Sequence, residues 1–151
     1  MEKIIEQLNN SSPELIGIYL LLSKQYNILQ WYVFSFILNL ILKEICRKCM
    51  KDKTFPLIGN GNRPSGSNLN SYGMPSGHAQ VVGFFLMSQI LLGNKNWPVI
   101  LLLSLEIMWS RILNGHHTFS QVAIGFLLGL SLANALIHSN LINVVGDIHI
   151  I

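Results

Sequence analysis

Apolar positions along the chain gather into four long stretches, Asn27 to Lys43, His78 to Leu92, Trp97 to Leu113 and Phe119 to His138, set apart by polar segments. Each has the length of a helix of roughly 15–20 residues, at or just under what a bilayer core of about 30 Å requires. A soluble bundle would need a broad polar face on every helix. Val99-Ile-Leu-Leu-Leu-Ser-Leu offers almost none, and Phe36 to Leu42 offers only Asn39. A shorter run, Leu15 to Leu22, is opened by Ser12-Pro13 and reads as an interfacial or half-inserted helix. Residues 1–14 read as a polar N-terminal segment without a cleavable signal, since no basic stretch precedes a long apolar core. The pattern predicts one all-α domain: an integral-membrane bundle of four long helices plus a short N-terminal helix.

The segment 44–77 differs in kind. It is rich in Gly, Asn, Ser and Pro, as in Gly59-Asn-Gly-Asn-Arg-Pro-Ser-Gly-Ser-Asn, and is expected to be a long loop that carries function. If each long stretch crosses the membrane once, the end of the first, the start of the second, the end of the third and the start of the fourth meet on one face. Trp31, Tyr32, Trp97 and Trp109 lie near stretch ends, where they serve either as interfacial anchors or in ordinary helix packing.

Composition agrees with this picture. Half of the 151 residues are hydrophobic and 11% are charged. A formal charge of +3 is too mild for a nucleic-acid binder. The cations nevertheless cluster, with Lys43, Arg47, Lys48, Lys51, Lys53 and Arg63 in one connecting region. Cys46 and Cys49 form an isolated C-x-x-C without the second pair a zinc site needs, and are expected to be reduced thiols near a helix end.

Three short clusters fall on the common face: Arg63-Pro64, Pro75-Ser76-Gly77-His78, and Ser110-Arg111 followed by His117 and Gln121. Arg63 and Arg111 supply forked donors that match phosphate oxygens, and Ser76, Gly77 and the amides after them can form an anion site at a helix start. Two histidines beside such a cradle can divide phosphoryl transfer between them, one attacking phosphorus and one protonating the departing oxygen. His117 and Gln121 stand i, i+4, so Gln121 can accept a hydrogen bond from one ring nitrogen and hold the other toward substrate. His78 is the candidate acid. His116 lies five residues before Gln121, off that residue's face, and His138 and His149 look like helix-end or tail residues.

These clusters resemble the motifs of the type 2 phosphatidic acid phosphatases, a superfamily that includes the vanadium haloperoxidases. Its second motif, Pro-Ser-Gly-His, is complete at Pro75 to His78; its third, Ser-Arg, five residues, His, three residues, Asp, fits from Ser110 to Gln121 with glutamine in place of aspartate. Tyr72-Gly-Met-Pro-Ser-Gly-His-Ala-Gln80 and His117-Thr-Phe-Ser-Gln-Val122 look most like the dolichyl diphosphatases, which also tend to carry glutamine there. The first motif, a lysine six residues before Arg-Pro, departs: its lysine position falls on Pro56, leaving Lys43, Lys51 or Lys53. Lys43 is favoured because Asn39-Leu-Ile-Leu-Lys43 sits at a helix end.

The resemblance implies a phosphohistidine at His117, proton donation by His78 and orientation of His117 by Gln121. Lys43, Arg63, Ser76, Gly77 and Arg111 would hold the phosphate oxygens, with no metal or other cofactor. The implied substrate is a membrane lipid phosphate or diphosphate, polyprenyl or dolichyl diphosphate before phosphatidic acid, in an endoplasmic-reticulum-type membrane. A catalytically silent homologue that binds anionic headgroups is the alternative. Two further features stand out. Gln121, Gly125, Gly129 and Ala133 form a small-residue face for close helix docking, and Glu106 is an ionisable group inside an apolar stretch.

Overall fold

The computed structural model describes residues 2–50, 53–56, 58–59, 61–65, 67, 71–139 and 141. Among them the secondary structure is helical, with one isolated bridge between Phe55 and Gly59. The helices are α1 (Glu2–Asn10), α2 (Ser12–Leu22), α3 (Tyr26–Met50), α4 (Gly77–Leu91), α5 (Trp97–Leu113) and α6 (Phe119–His138).

This corrects the expected count of four long helices and one short one. The polar N-terminal segment is itself the helix α1, and Ser12 with Pro13 belongs to the first turn of α2, where a missing N–H costs nothing. The first long helix does not stop at Lys43 but continues for two further turns to Met50. Those turns are polar, and Glu44 holds them by pairing with Arg47 at 2.6 Å and Lys48 at 3.6 Å along one exposed face. The connecting segment therefore does not begin at Glu44, since the helix runs at least to Met50. Cys46 and Cys49 sit as free thiols at the end of α3.

Helix α4 is the centre of the molecule. Residues Ala79 to Leu86 are buried without a break, and α3, α5 and α6 all pack against it. The α4–α6 contact is the closest, and the small residues foreseen on α6 explain why. Gln121, Gly125, Gly129 and Ala133 are all buried, and a Cβ on Gly129 would fall on the Gln80 carbonyl. Gly83 of α4 returns the same close approach toward the Phe126 backbone. At the other end, Leu20, Ile28, Tyr32, Val81, Phe84, Ala133 and Leu136 form the apolar core.

A buried amide chain joins α3 to α4. Asn39 Nδ2 donates to Gln80 Oε1 at 2.9 Å, and Gln80 Nε2 donates to the Ser35 carbonyl at 2.8 Å. Buried polar groups need such partners, so this chain fixes the register of the two helices.

Outside this core the surface is apolar. Helix α3 exposes Val33, Phe34, Ile37 and Leu40, helix α5 exposes Val99, Leu102, Leu103 and Trp109, and α6 exposes Leu127. Among the described residues two helices, α3 and α6, are long and apolar enough to cross a membrane. At about 1.5 Å per residue α4 and α5 are shorter than a bilayer core, with 15 and 17 residues. Of the aromatic residues near stretch ends, Trp97 and Trp109 are exposed. Tyr32 is buried and donates its hydroxyl to the Pro13 carbonyl at 2.9 Å, a packing role.

Candidate active site

The C-terminal end of α5 delivers the first part of the site. After Asn114 the chain turns through Gly115, whose φ of +65° is the left-handed conformation glycine adopts most readily. Gly115 N–H donates to the Ile112 carbonyl at 3.0 Å and His116 N–H to the Arg111 carbonyl at 3.1 Å, which closes the helix end. His117 N–H also reaches the Arg111 carbonyl, at 3.1 Å, so the turn that stops α5 sets His117 beside Arg111.

Helix α6 begins immediately afterwards with a capping box. Thr118 Oγ1 accepts from the Gln121 N–H, and Gln121 Oε1 accepts from the Thr118 N–H at 3.2 Å. Gln121 Oε1 also stands 3.1 Å from His117 Nδ1. The amide oxygen can only accept, so the proton of the imidazole belongs on Nδ1 and the lone pair on Nε2. That lone pair faces Arg63 Nη1 at 3.1 Å, a guanidinium that can only donate.

His117 is 2% exposed, and its pKa is lowered to about 3, first by burial and then by the Arg63 charge. Burial and the Arg63 charge thus favour the neutral ring across the physiological range. The His116 backbone carbonyl accepts from Arg63 Nη1 at 2.7 Å, and the His116 pKa is lowered by burial and by the Arg111 charge.

Arg63 is anchored from the loop side. Its Nε donates to the Ser71 carbonyl at 2.7 Å and its Nη2 to Ser71 Oγ at 2.8 Å. The backbone just before it is held by Gln121, whose Nε2 donates to the carbonyls of Gly61 at 3.1 Å and Asn62 at 2.6 Å. Gln121 thus uses both faces of its amide, the oxygen for His117 and the nitrogen for the loop that carries Arg63.

The start of α4 closes the third side. Ser76 N–H donates to the Gln121 carbonyl at 3.1 Å, joining the two helix starts, and a Cβ on Gly125 would meet the Ser76 backbone. Gly77 faces Asn39 of α3 so closely that a Cβ would lie 3.0 Å from its Oδ1. Ser76 occupies the capping position of α4, yet its hydroxyl caps nothing. Ser76 Oγ is buried without a partner, and so is Arg111 Nε. Two groups that could donate to an anion are thus buried without a hydrogen-bond partner among the described residues.

Lys43 stands one helical turn beyond Asn39 on α3, within electrostatic range of Arg63, Arg111, His78 and His117. Of the other two lysines weighed, Lys51 lies outside the described residues. His78, in the first turn of α4, holds Nε2 3.0 Å from the Asn10 carbonyl, and Arg111 Nη1 donates to Asn10 Oδ1. Asn10 did not figure among the site residues read from sequence. His138 ends α6, about 29 Å along the helix from its start, and His149 lies outside the described residues. Glu106 is exposed on α5 and accepts from Asn9 Nδ2 at 2.8 Å.

Lys43, Arg63, Ser76, Gly77, His78, Arg111, His117 and Gln121 therefore converge from four helices, α3 to α6, and the segments between them. What converges is a neutral imidazole with its lone pair directed among three cationic side chains. Such an assembly suits attack on a phosphoryl group whose oxygens the cations neutralise. Residues 28–143 match the family model described as the PAP2 superfamily, a stretch that contains all eight residues. No solved structure matches the chain significantly.

Proposed function

With the chain a member of the PAP2 superfamily, whose members are generally phosphatases of lipid phosphates, we propose that it hydrolyses a lipid phosphate or diphosphate through a phosphohistidine on His117. The observation that carries this reading is the two-sided hold on the imidazole, Gln121 Oε1 on Nδ1 and Arg63 opposite Nε2. In the first step the Nε2 lone pair forms the bond to phosphorus as the bond to the leaving oxygen breaks, and His78 gives that oxygen a proton. Arg63, Arg111, Lys43 and the Ser76 hydroxyl share the charge on the phosphoryl oxygens. In the second step water attacks phosphorus, the P–N bond breaks, His78 takes the water's proton, and phosphate leaves. The residues supply all the charge this needs, so the reaction is expected to be independent of metal ions.

An amphiphilic substrate fits the surroundings of the site. The apolar flanks of α3, α5 and α6 suit a bundle that crosses the membrane several times, with the site at one end, where a headgroup reaches the cations while its tail stays in lipid. Polyprenyl or dolichyl diphosphate is favoured over phosphatidic acid because of the likeness of 72–80 and 117–122 to the dolichyl diphosphatases, and an endoplasmic-reticulum-type membrane follows from the same likeness. Phosphate release from both lipids in detergent with excess chelator, comparing wild type with His117→Ala, tests the reading. Chelator-resistant release that disappears in the variant is expected. A folded wild type that binds the lipids and releases no phosphate would instead identify a silent headgroup-binding homologue.

A further inference from the structure

The short helix α1 makes contacts that catalysis does not require. Its last residue, Asn10, touches two site residues at once: the side-chain oxygen accepts from Arg111 Nη1, and the backbone carbonyl stands 3.0 Å from His78 Nε2. That carbonyl belongs to the end of a helix, where carbonyls lack helical partners and carry partial negative charge. One turn back, Glu6 lies close enough to Arg111 and His116 to attract both. The end of α1 thus presents to the cationic site two carbonyl oxygens and a carboxylate, the chemistry a phosphate would present.

Elsewhere the same helix is held by buried Asn9, which donates to Glu106 at 2.8 Å, while its apolar residues face outward. Ile4, Ile5 and Leu8 lie on one stripe and face outward, exposed by 64%, 46% and 54%. Beneath α1, a cavity of about 280 Å³ is lined by Asn9, Val82, Phe85, Ile100 and Ile107. A short helix with few buried contacts opens at low cost, and an outward apolar stripe suits it to the membrane interface.

We propose that α1 is an interfacial strap and Asn10 a substrate mimic. The Asn10 side-chain oxygen holds Arg111 where a phosphoryl oxygen would bind, and its carbonyl holds His78 where the leaving oxygen would stand, so a phosphoryl group must displace the strap to enter. The proposal rests on the phosphatase reading for what enters, but the displacement itself requires only phosphate binding.

Hydrogen exchange of residues 2–10 in the full chain, in detergent, tests it with two probes, inorganic phosphate and dodecyl phosphate. Faster exchange on adding either probe is expected. A response to dodecyl phosphate alone also supports the strap and assigns part of the displacement to the alkyl tail. Unchanged or slower exchange with both probes overturns it. Asn10→Ala removes the side-chain contact and is expected to tighten binding of inorganic phosphate by about five- to tenfold, the worth of one hydrogen bond to a charged partner. Unchanged or weaker binding would mean that Asn10 supports the site rather than occupying it. Failure of the phosphatase reading would look different: phosphate would still release α1, and no lipid would be hydrolysed.

Discussion

Replacing Gln121 by glutamate is the most informative change at the site, because two lines of reasoning give opposite answers. A carboxylate beside His117 Nδ1 would stabilise the imidazolium form, so charge alone favours the variant. The structure opposes it. Gln121 Nε2 donates to the carbonyls of Gly61 at 3.1 Å and Asn62 at 2.6 Å, and in glutamate that nitrogen becomes an oxygen facing two other oxygens. Two hydrogen bonds are lost at roughly 1 kcal/mol each, and leaving the buried Gly61 carbonyl facing the new carboxylate raises the cost to about 2–4 kcal/mol. Gln121 is 1% exposed and its bond to Gly61 is buried, so water does not readily take its place there.

The displaced backbone is the one leading into Arg63, which faces the His117 lone pair. If about 2–3 kcal/mol of this loss reaches the transition state, kcat/KM falls roughly 30- to 150-fold. The assay is steady-state phosphate release from a lipid phosphate in detergent, with thermal unfolding of both proteins as a check on folding. KM should rise as kcat falls, since Arg63 serves binding as well as chemistry. A folded Gln121→Glu enzyme as active as wild type would refute the tether.

Two other expectations follow from packing and charge. Gly129→Ala places a Cβ on the Gln80 carbonyl and should destabilise the protein by about 1–3 kcal/mol through forced separation of α4 and α6, read from the shift in thermal or denaturant midpoint. His117, with its pKa lowered to about 3, stays neutral when folded while the unfolded chain takes up a proton near its ordinary value of about 6.5. Stability should therefore be constant above pH 6.5 and fall below it, by about 2 kcal/mol between pH 6.5 and 5. His117→Gln should make that slope shallower in phosphate-free buffer, leaving the share of the other buried histidines such as His116, and an unchanged slope would show that the ring is not held neutral.

Much of the site was legible because its chemistry is local. Gln121 was placed against His117 by the i, i+4 spacing alone, and the structure has that hydrogen bond. The face from Gln121 to Ala133 was read from the spacing of small residues and is buried as expected. Helix ends were less legible, since apolarity marks lipid contact rather than helicity. Glu44 to Met50 is polar and helical because i, i+3 and i, i+4 charge pairs sustain it. Residues 2–10 carry too short an apolar stripe to stand out as a helix. The reach of Gln121 to Gly61 and Asn62 spans a loop with no periodicity, and Asn10 meets Arg111 across most of the chain, so neither contact leaves a pattern in sequence.

The central claim, that His117 carries the phosphoryl group, is tested most directly by rapid acid-free quenching of the enzyme with substrate labelled in phosphorus-32, in excess chelator, followed by peptide mapping. The expected result is a phosphoenzyme stable in base and labile in acid, formed at the rate of turnover or faster, mapping to His117 and absent from His117→Ala. Label on His116 or Ser76, or turnover by His117→Ala at the wild-type rate, would contradict the account.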